Sequence, residues 1–454
     1  MPEMRIYPLK NVPEEIIAAA FAKTSRSPEP FDKIAAELSA ESSSKFHEKW
    51  VVGYGHSSVA EHSVAHLAAE NISRLAIETI ESNRLGSYTE KSTRYQQLDE
   101  EHTHLPEEIK GTSLERNYKD ALDILFSTYE KSLSALVDYY SSQSKPEPGK
   151  EKAHEIKLKT MAMDSARFLL PNSTLANVGI TMNARSLEHA LVKMLSHPLA
   201  EVRRAGLLLR DAGMQAFPTL LRKAEENTAL AGFQEESRKQ FSPFSSPAGS
   251  KHASLIHYDK NALENLSASI LYRWSGLSYE DALEHVRSSR PSSPMEIFRS
   301  VTARFPEGLK PIREFEHITY TFDLLMDQGA YYEFKRHRML TISAQEPTIS
   351  LGYRIPQDIE KCGMKKEFAE AMKESEGCFR EIEETHPFAA GYIATNAHHR
   401  RVLATMNLRE LATFIKLRSA PFAHFTIREL ALEMLEELRK VHPEFAESIG
   451  PGVV

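Results

Sequence analysis

Two kinds of periodicity alternate along this chain. Ile318, Tyr320, Phe322 and Leu324 alternate with Thr319, Thr321 and Asp323, and period two predicts a half-buried strand. A helix ending near Arg336 is expected next. In the first half, Ile72, Leu75, Ala76 and Ile80 have helical spacing, which predicts a helix ending near Arg84. Farther on, Leu187, Ala190, Leu191 and Met194 share one helical face, and Leu411, Phe414, Ile415 and Arg418 share another. Asn183 and Asn407 stand where helix caps are expected. Arg5 to Leu9 and Leu255 to Tyr258 each read as a short strand before an apolar helix, Ile16 to Phe21 and Leu263 to Leu271. Pro13 suits a first helical turn, where its missing N–H costs nothing.

The elements recur in the same order, so the chain reads as two copies of one α+β unit. Each copy is expected to hold a mixed sheet with long flanking helices. Gln234 to Lys251, rich in serine, proline and glycine, reads as a linker. The expected division is a first domain at 1–233, a linker at 234–252 and a second domain at 253–454. Glu101 to Lys159 and Asp358 to Glu384 read as charged surface helices, the first broken at Pro146, Pro148 and Gly149.

Composition narrows the function. The 454 residues carry a net charge of −7, with 41% hydrophobic and 26% charged residues, ordinary values for a globular protein. That charge offers no footprint for nucleic acid. No apolar run reaches the roughly 18 residues of a membrane span, and Met1 to Lys10 lacks an apolar signal core. Cys362 and Cys378, the two cysteines, form no metal-ligand cluster and no disulfide framework, which fits a reducing cytoplasm.

The candidate chemistry is cationic. Arg418 falls where periodicity predicts core, and a buried guanidinium needs an anion, either a ligand or an internal carboxylate. Lys335-Arg336-His337-Arg338 closes a predicted helix; it complements the helix terminus or clamps phosphate. Ser92 and Arg94 are two apart, as in a solvated loop or in a loop facing one ligand. Asn183 with Arg185 and Asn407 with Arg409 begin the closing helices. His56 near Glu61-His62 lacks further ligands at metal spacing, so no metal site is expected.

Taken in order, these segments resemble the flavin-dependent thymidylate synthase family. Its GHxxxxEH segment is similar to Gly55-His56-Ser57-Ser58-Val59-Ala60-Glu61-His62. Its RHRxxSxNExSxRY segment is similar to Ser82 through Tyr95, with Ser82-Asn83 in place of arginine-histidine. Ala166-Arg167 through Pro171 and Asn183-Ala184-Arg185-Ser186-Leu187 match two further segments, while Met194 lies near a lost leucine-arginine. The second half keeps Glu316-His317, Arg336-His337-Arg338, Asn407-Leu408-Arg409 and Leu417-Arg418. It has Lys310-Pro311 for glycine-histidine, Gly391 for the ARxxLP arginine and Ser350-Leu351-Gly352-Tyr353 for SxRY.

The resemblance implies two tandem thymidylate synthase-like domains, paired as family subunits pair. It implies FAD as cofactor, methylenetetrahydrofolate and NADPH as co-substrates, and a dUMP-like pyrimidine nucleotide as substrate. It places Arg418 in catalysis and Glu90, Ser92, Arg94, Arg167, Glu333, Arg336 and Arg418 at the nucleotide. His56, Ser58, Arg336, His337, Arg338, Asn183, Arg185, Asn407 and Arg409 fall to the cofactor. The losses in the two halves are complementary, which suggests one composite site per chain. A homodimer of the double-length chain is the matching assembly. Two alternatives stay open: one-carbon transfer on another pyrimidine nucleotide, and a non-catalytic nucleotide- or flavin-binding homologue.

Overall fold

A computed structural model describes residues 4–94, 96–244, 246, 247, 249, 251–288, 294–304 and 312–452. Tyr95, Lys310 and Pro311 lie outside the described residues. The chain forms two compact units, Met1–Ser245 with Cys362–Ala394, and Ser246–Lys361 with Thr395–Val454. Among the described residues, no helix is long and apolar enough to cross a membrane.

The first unit opens with three helices, α1 (Glu14–Thr24), α2 (Phe31–Glu37) and α3 (Ala40–His47). Strand β1 (Val64–Ser73), α4 (Arg74–Glu81) and β2 (Gly86–Glu90) follow. Two long helices come next, α5 (Ser113–Gln143) and α6 (Glu151–Ala166). Then come β3 (Leu175–Asn183), α7 (Ala184–Leu195), α8 (Ala200–Ala216) and α9 (Thr228–Phe241). The three strands form an antiparallel sheet in the order β1-β3-β2.

The second unit opens with β4 (Ala253–Tyr258), α10 (Ala262–Trp274), α11 (Tyr279–Ser288) and α12 (Pro294–Thr302). It continues through β5 (Thr319–Asp327), α13 (Gln328–Phe334), β6 (Leu340–Ala344) and α14 (Gln357–Lys361). Helix α15 (Lys365–Glu383) belongs to the first unit. The chain then returns as β7 (His399–Asn407), α16 (Leu408–Arg418), α17 (Phe425–Val441) and α18 (Pro443–Ile449). The sheet order is β4-β5-β7-β6, all antiparallel. Its apolar face, including Tyr320, Phe322, Leu324, Val402 and Met406, packs on Phe414, Leu430 and Met434.

Strand register fixes the correspondence between repeats. Val64 faces Asn183 and Ser73 faces Leu175; likewise Thr319 faces Asn407 and Asp327 faces His399. β1 is therefore one residue longer than β5, and a bulge between Ala69 and Ile72 absorbs the extra residue. Asn71 sits in that bulge at φ 55°.

Several expectations change. Arg5 to Leu9 forms no strand, and its side chains are bonded at α2: Arg5 to Asp32 at 2.6 Å, and the Asp32 N–H to the Tyr7 hydroxyl at 3.2 Å. Ile72 ends a strand rather than starting a helix, because Ser73 caps α4. Residues 234–241 of the expected linker are the end of α9. The presumed surface helices have buried faces. Tyr118, Leu122 and Leu125 of α5 and Phe368, Met372 and Phe379 of α15 are buried where the two helices pack. Residues 362–394 thus join the first unit although the expected second domain began at 253. Buried bonds fasten them, from Asn172 to the Gly391 carbonyl at 3.0 Å and from the Tyr392 hydroxyl to Glu201 at 2.8 Å.

Candidate functional site

Each repeat carries the same frame at the mouth of its closing helix. Asn183 accepts from the Ser186 N–H at 2.8 Å, and Asn407 from the Glu410 N–H at 2.9 Å, so both are N-caps. Two residues past each cap, Arg185 bonds Glu61 at 2.5 Å and Arg409 bonds Glu316 at 2.6 Å. The glutamate of each Glu-His pair thus meets the arginine of each Asn-x-Arg. Arg409's hydrogen bond holds the Glu316 carboxyl below the usual range, against a smaller cost of desolvation.

The second unit adds a chain of four side chains behind this frame. Arg418, at the end of α16, donates from Nε to His337 Nε2 at 3.1 Å. It also donates from Nη1 to the Glu333 carboxylate at 3.0 Å and from Nη2 to the Glu333 carbonyl at 3.1 Å. His337 Nδ1 meets the Glu410 carboxylate at 2.9 Å. A ring accepting at Nε2 carries its proton on Nδ1, where it donates to Glu410. The Phe414 ring meets His337 edge-on at 4.9 Å. The Arg418 and Glu333 side chains are 15% and 13% exposed, so this ion pair is largely desolvated. The internal carboxylate that a core arginine demands is therefore Glu333. Both nitrogens of buried His337 are engaged. Arg336 beside it is exposed, and Arg338 is half-buried.

The first unit lacks the whole set. By register, Thr79 stands for Glu333, Asn83 for His337, Ser186 for Glu410 and Met194 for Arg418. Asn83 turns back to donate to the Ile80 carbonyl at 2.9 Å, and Lys193 reaches Ser82 at 2.7 Å. Met194 is fully buried.

The first unit has other candidates in its place. Arg94 makes a two-pronged pair with Asp164 at 2.6 and 2.8 Å, and Ser92 accepts from the Arg94 N–H at 3.2 Å. Glu90 is buried and paired with Arg74 at 3.1 Å. Arg167 is buried in the turn that ends α6. His56 and Ser58 are exposed. The turn before them needs Gly55, whose φ is +76°, a value that side chains disfavour.

His56 lines a cavity of about 490 Å³ with Phe21, Lys23, Arg26, Phe46 and Trp50. The Arg26 guanidinium lies 4.6 Å from the Trp50 ring centre. A π-helical turn, Glu48–Gly53, carries Trp50, and such turns recur at functional sites. Among the described residues, no carboxylate lines this cavity. Its donor set fits an anionic group carrying an aromatic ring.

Two residues escaped sequence reading. Glu410 sits three past the cap Asn407, where a glutamate ordinarily completes a capping box. Asp164 is one of three carboxylates on α6. Nothing in the sequence pairs it with Arg94, seventy positions away.

The profile of the Thymidylate synthase complementing protein family matches residues 9–219 and again 264–444. The chain belongs to this family. It is a tandem, flavin-dependent thymidylate synthase-type member with partly degenerate motifs in each copy. A "UPF0159 protein" of Chlamydia muridarum is 30% identical, covering 97% of this chain and 90% of its own. A flavin-dependent thymidylate synthase of Clostridium tetani is 32% identical over 176 residues, 38% of this chain and 67% of its own. The Helicobacter pylori flavin-dependent thymidylate synthase, solved with FAD and dUMP, is 18% identical, with a TM-score of 0.34. It covers 44% of this chain and 99% of its own.

Proposed function

We propose that this chain methylates dUMP to dTMP with FAD, methylenetetrahydrofolate and NADPH. The observation that carries this reading is the Glu333–Arg418–His337–Glu410 chain, present in one repeat and replaced at every member in the other. Four coordinated replacements argue for one specialised unit, whereas random decay would strike members singly. Arg418 donates to the pyrimidine ring and stabilises charge as it develops there. His337 acts through Arg418, by fixing the guanidinium plane.

The first repeat contributes Ser92, Arg94 and Arg167 toward the nucleotide, and the second Arg336 and Arg418. Glu90 and Glu333 act by holding arginines. Arg94 leaves or shares Asp164 to meet phosphate, whose oxygens match its fork. His56, Ser58, Arg338 and the exposed edges of the Asn183–Arg185 and Asn407–Arg409 frames bear on the cofactor. FAD, when bound, carries the hydride that completes the methyl group. The homodimer and the cytoplasmic location belong to the same proposal.

A spectrum and a titration test it. The purified chain is expected to bind FAD, with flavin absorbance retained on gel filtration, and then to bind dUMP. Arg94→Ala and Arg418→Ala are each expected to weaken dUMP by at least about tenfold, ~1.4 kcal/mol. Full-strength binding in either variant refutes the shared site. A chain that rejects FAD refutes the reading as a whole.

A further inference from the structure

The two sheets differ at one edge. In the second unit, β4 covers the edge of β5, with Ala253 facing Leu324, Ser254 facing Asp323 and Tyr258 facing Tyr320. β4 is also held by α17, where Glu433 accepts from the Ala253 N–H at 3.2 Å. In the first unit, β1 corresponds to β5 and α8 to α17, but β1 is the outermost strand. A cavity of about 380 Å³ lies there, lined by residues 68–72 of β1 and by Ala200, Glu201, Arg204, Leu208 and Leu209 of α8. An edge strand beside an apolar groove is a seat for another strand.

We infer that the chain's own Arg5–Lys10 segment moves from α2 to pair along residues 65–69 of β1 as a fourth strand, which brings Arg5 and Ile6 to the near end of this groove. Four observations support this occupant. Counting back from the helix caps Pro13 and Asn261, Arg5–Lys10 stands where Ala253–Tyr258 stands. Pro8 then falls on Ile256, the one residue of β4 that the register skips. A proline, lacking an N–H, is tolerated in a strand at such a bulge. Next, α1 is tied to the start of β1. Glu14 accepts from the Val64 N–H at 3.0 Å through its side chain, and from the Ser63 hydroxyl at 3.0 Å through its carbonyl. The tether therefore ends where Tyr258 ends in the other unit, so reach is not limiting.

Charge is also complementary. The groove is lined by Glu70, Glu107 and Glu201 against Arg204, and the register puts Arg5 opposite Ala69, beside Glu70. Finally, the segment has little to hold it at α2. Its ion pair to Asp32 is solvent-exposed, where screening weakens it. Ile6 there is 92% exposed. Docking adds ladder hydrogen bonds and buries Tyr7 at the position of Leu255, which packs on the second unit's core.

A disulfide trap in the full-length chain tests this. Ile6→Cys with Ala68→Cys reproduces the Ser254–Asp323 pair. Mild oxidation at low protein concentration is expected to link the two within one chain, as peptide mapping will read. Hydrogen exchange of the unaltered chain is expected to show the amides of Ile6, Tyr7, Leu9 and Lys10 at least about tenfold slower than in an unstructured peptide. A disulfide between chains overturns the inference, since a second copy is then the occupant. Absence of the disulfide, or coil-rate exchange in the unaltered chain, overturns it as well.

Discussion

Replacing Arg418 with methionine recreates what the first repeat already has at Met194. In the second unit it strands Glu333, whose side chain is only 13% exposed, and leaves His337 Nε2 without its donor. Removing one member of a desolvated pair costs about 3 kcal/mol. Glu333→Thr, the residue of the first repeat, leaves Arg418 its bonds to His337 and to the main-chain carbonyl. That change costs less, about 2 kcal/mol. The double variant removes both charges together, so its cost is also about 2 kcal/mol rather than their sum. The expected coupling is thus roughly 3 kcal/mol, the two single costs less the double. Native-state hydrogen exchange of β7 and α16 amides reads the second unit without mixing in the first. There R418M is expected to exchange at least about a hundredfold faster than the parent, and the double variant to recover several-fold from it. Additive effects, within about 0.5 kcal/mol, refute the view that these side chains act as one unit.

Other expectations follow from the first unit. Glu201 accepts from the Ser73 N–H at 2.8 Å, the Ser73 hydroxyl at 2.6 Å and the Tyr392 hydroxyl at 2.8 Å. Glu201→Ala orphans three buried donors and is expected to cost about 3 kcal/mol or more, read by exchange of β1 and α4 amides. Burial, with the Arg203 cation adding, lowers His197 to about 4. The folded ring therefore stays neutral while the unfolded one protonates near its ordinary value. Stability is complete above that value and falls between about 6.5 and 4, by at most ~1.4 kcal/mol per pH unit. Urea titrations across this window will show the slope, and His197→Asn is expected to flatten it. Asp164→Asn removes the charge that holds Arg94. It is expected to leave FAD binding intact and change nucleotide affinity, which calorimetry will separate from unfolding.

Much of the architecture was legible because local rules wrote it. The alternation of Tyr320, Phe322 and Leu324 gave β5, and the caps Asn183 and Asn407 marked α7 and α16. The buried faces of Leu187–Met194 and Leu411–Ile415 followed from helical spacing. What escaped depends on partners far along the chain. A guanidinium at 418 announces that it needs a carboxylate, but not that Glu333 and His337 supply the contacts. Residues 362–394 carry no local mark of belonging with α5, because Tyr392 and Gly391 act through single distant bonds. The bulge at Asn71 is invisible until a neighbouring strand sets the register. Arg5–Leu9 has the composition of a strand, yet strand pairing is decided by which edge it meets.

The central claim is catalysis on the pyrimidine ring, and isotope release tests it most directly. The full-length chain, loaded with FAD, is given 5-tritiated dUMP, methylenetetrahydrofolate and NADPH. Release of tritium to water is expected, and Arg418→Ala is expected to reduce it about a hundredfold or more, as loss of a transition-state donor does. A chain that keeps FAD and dUMP bound yet releases no tritium contradicts the account.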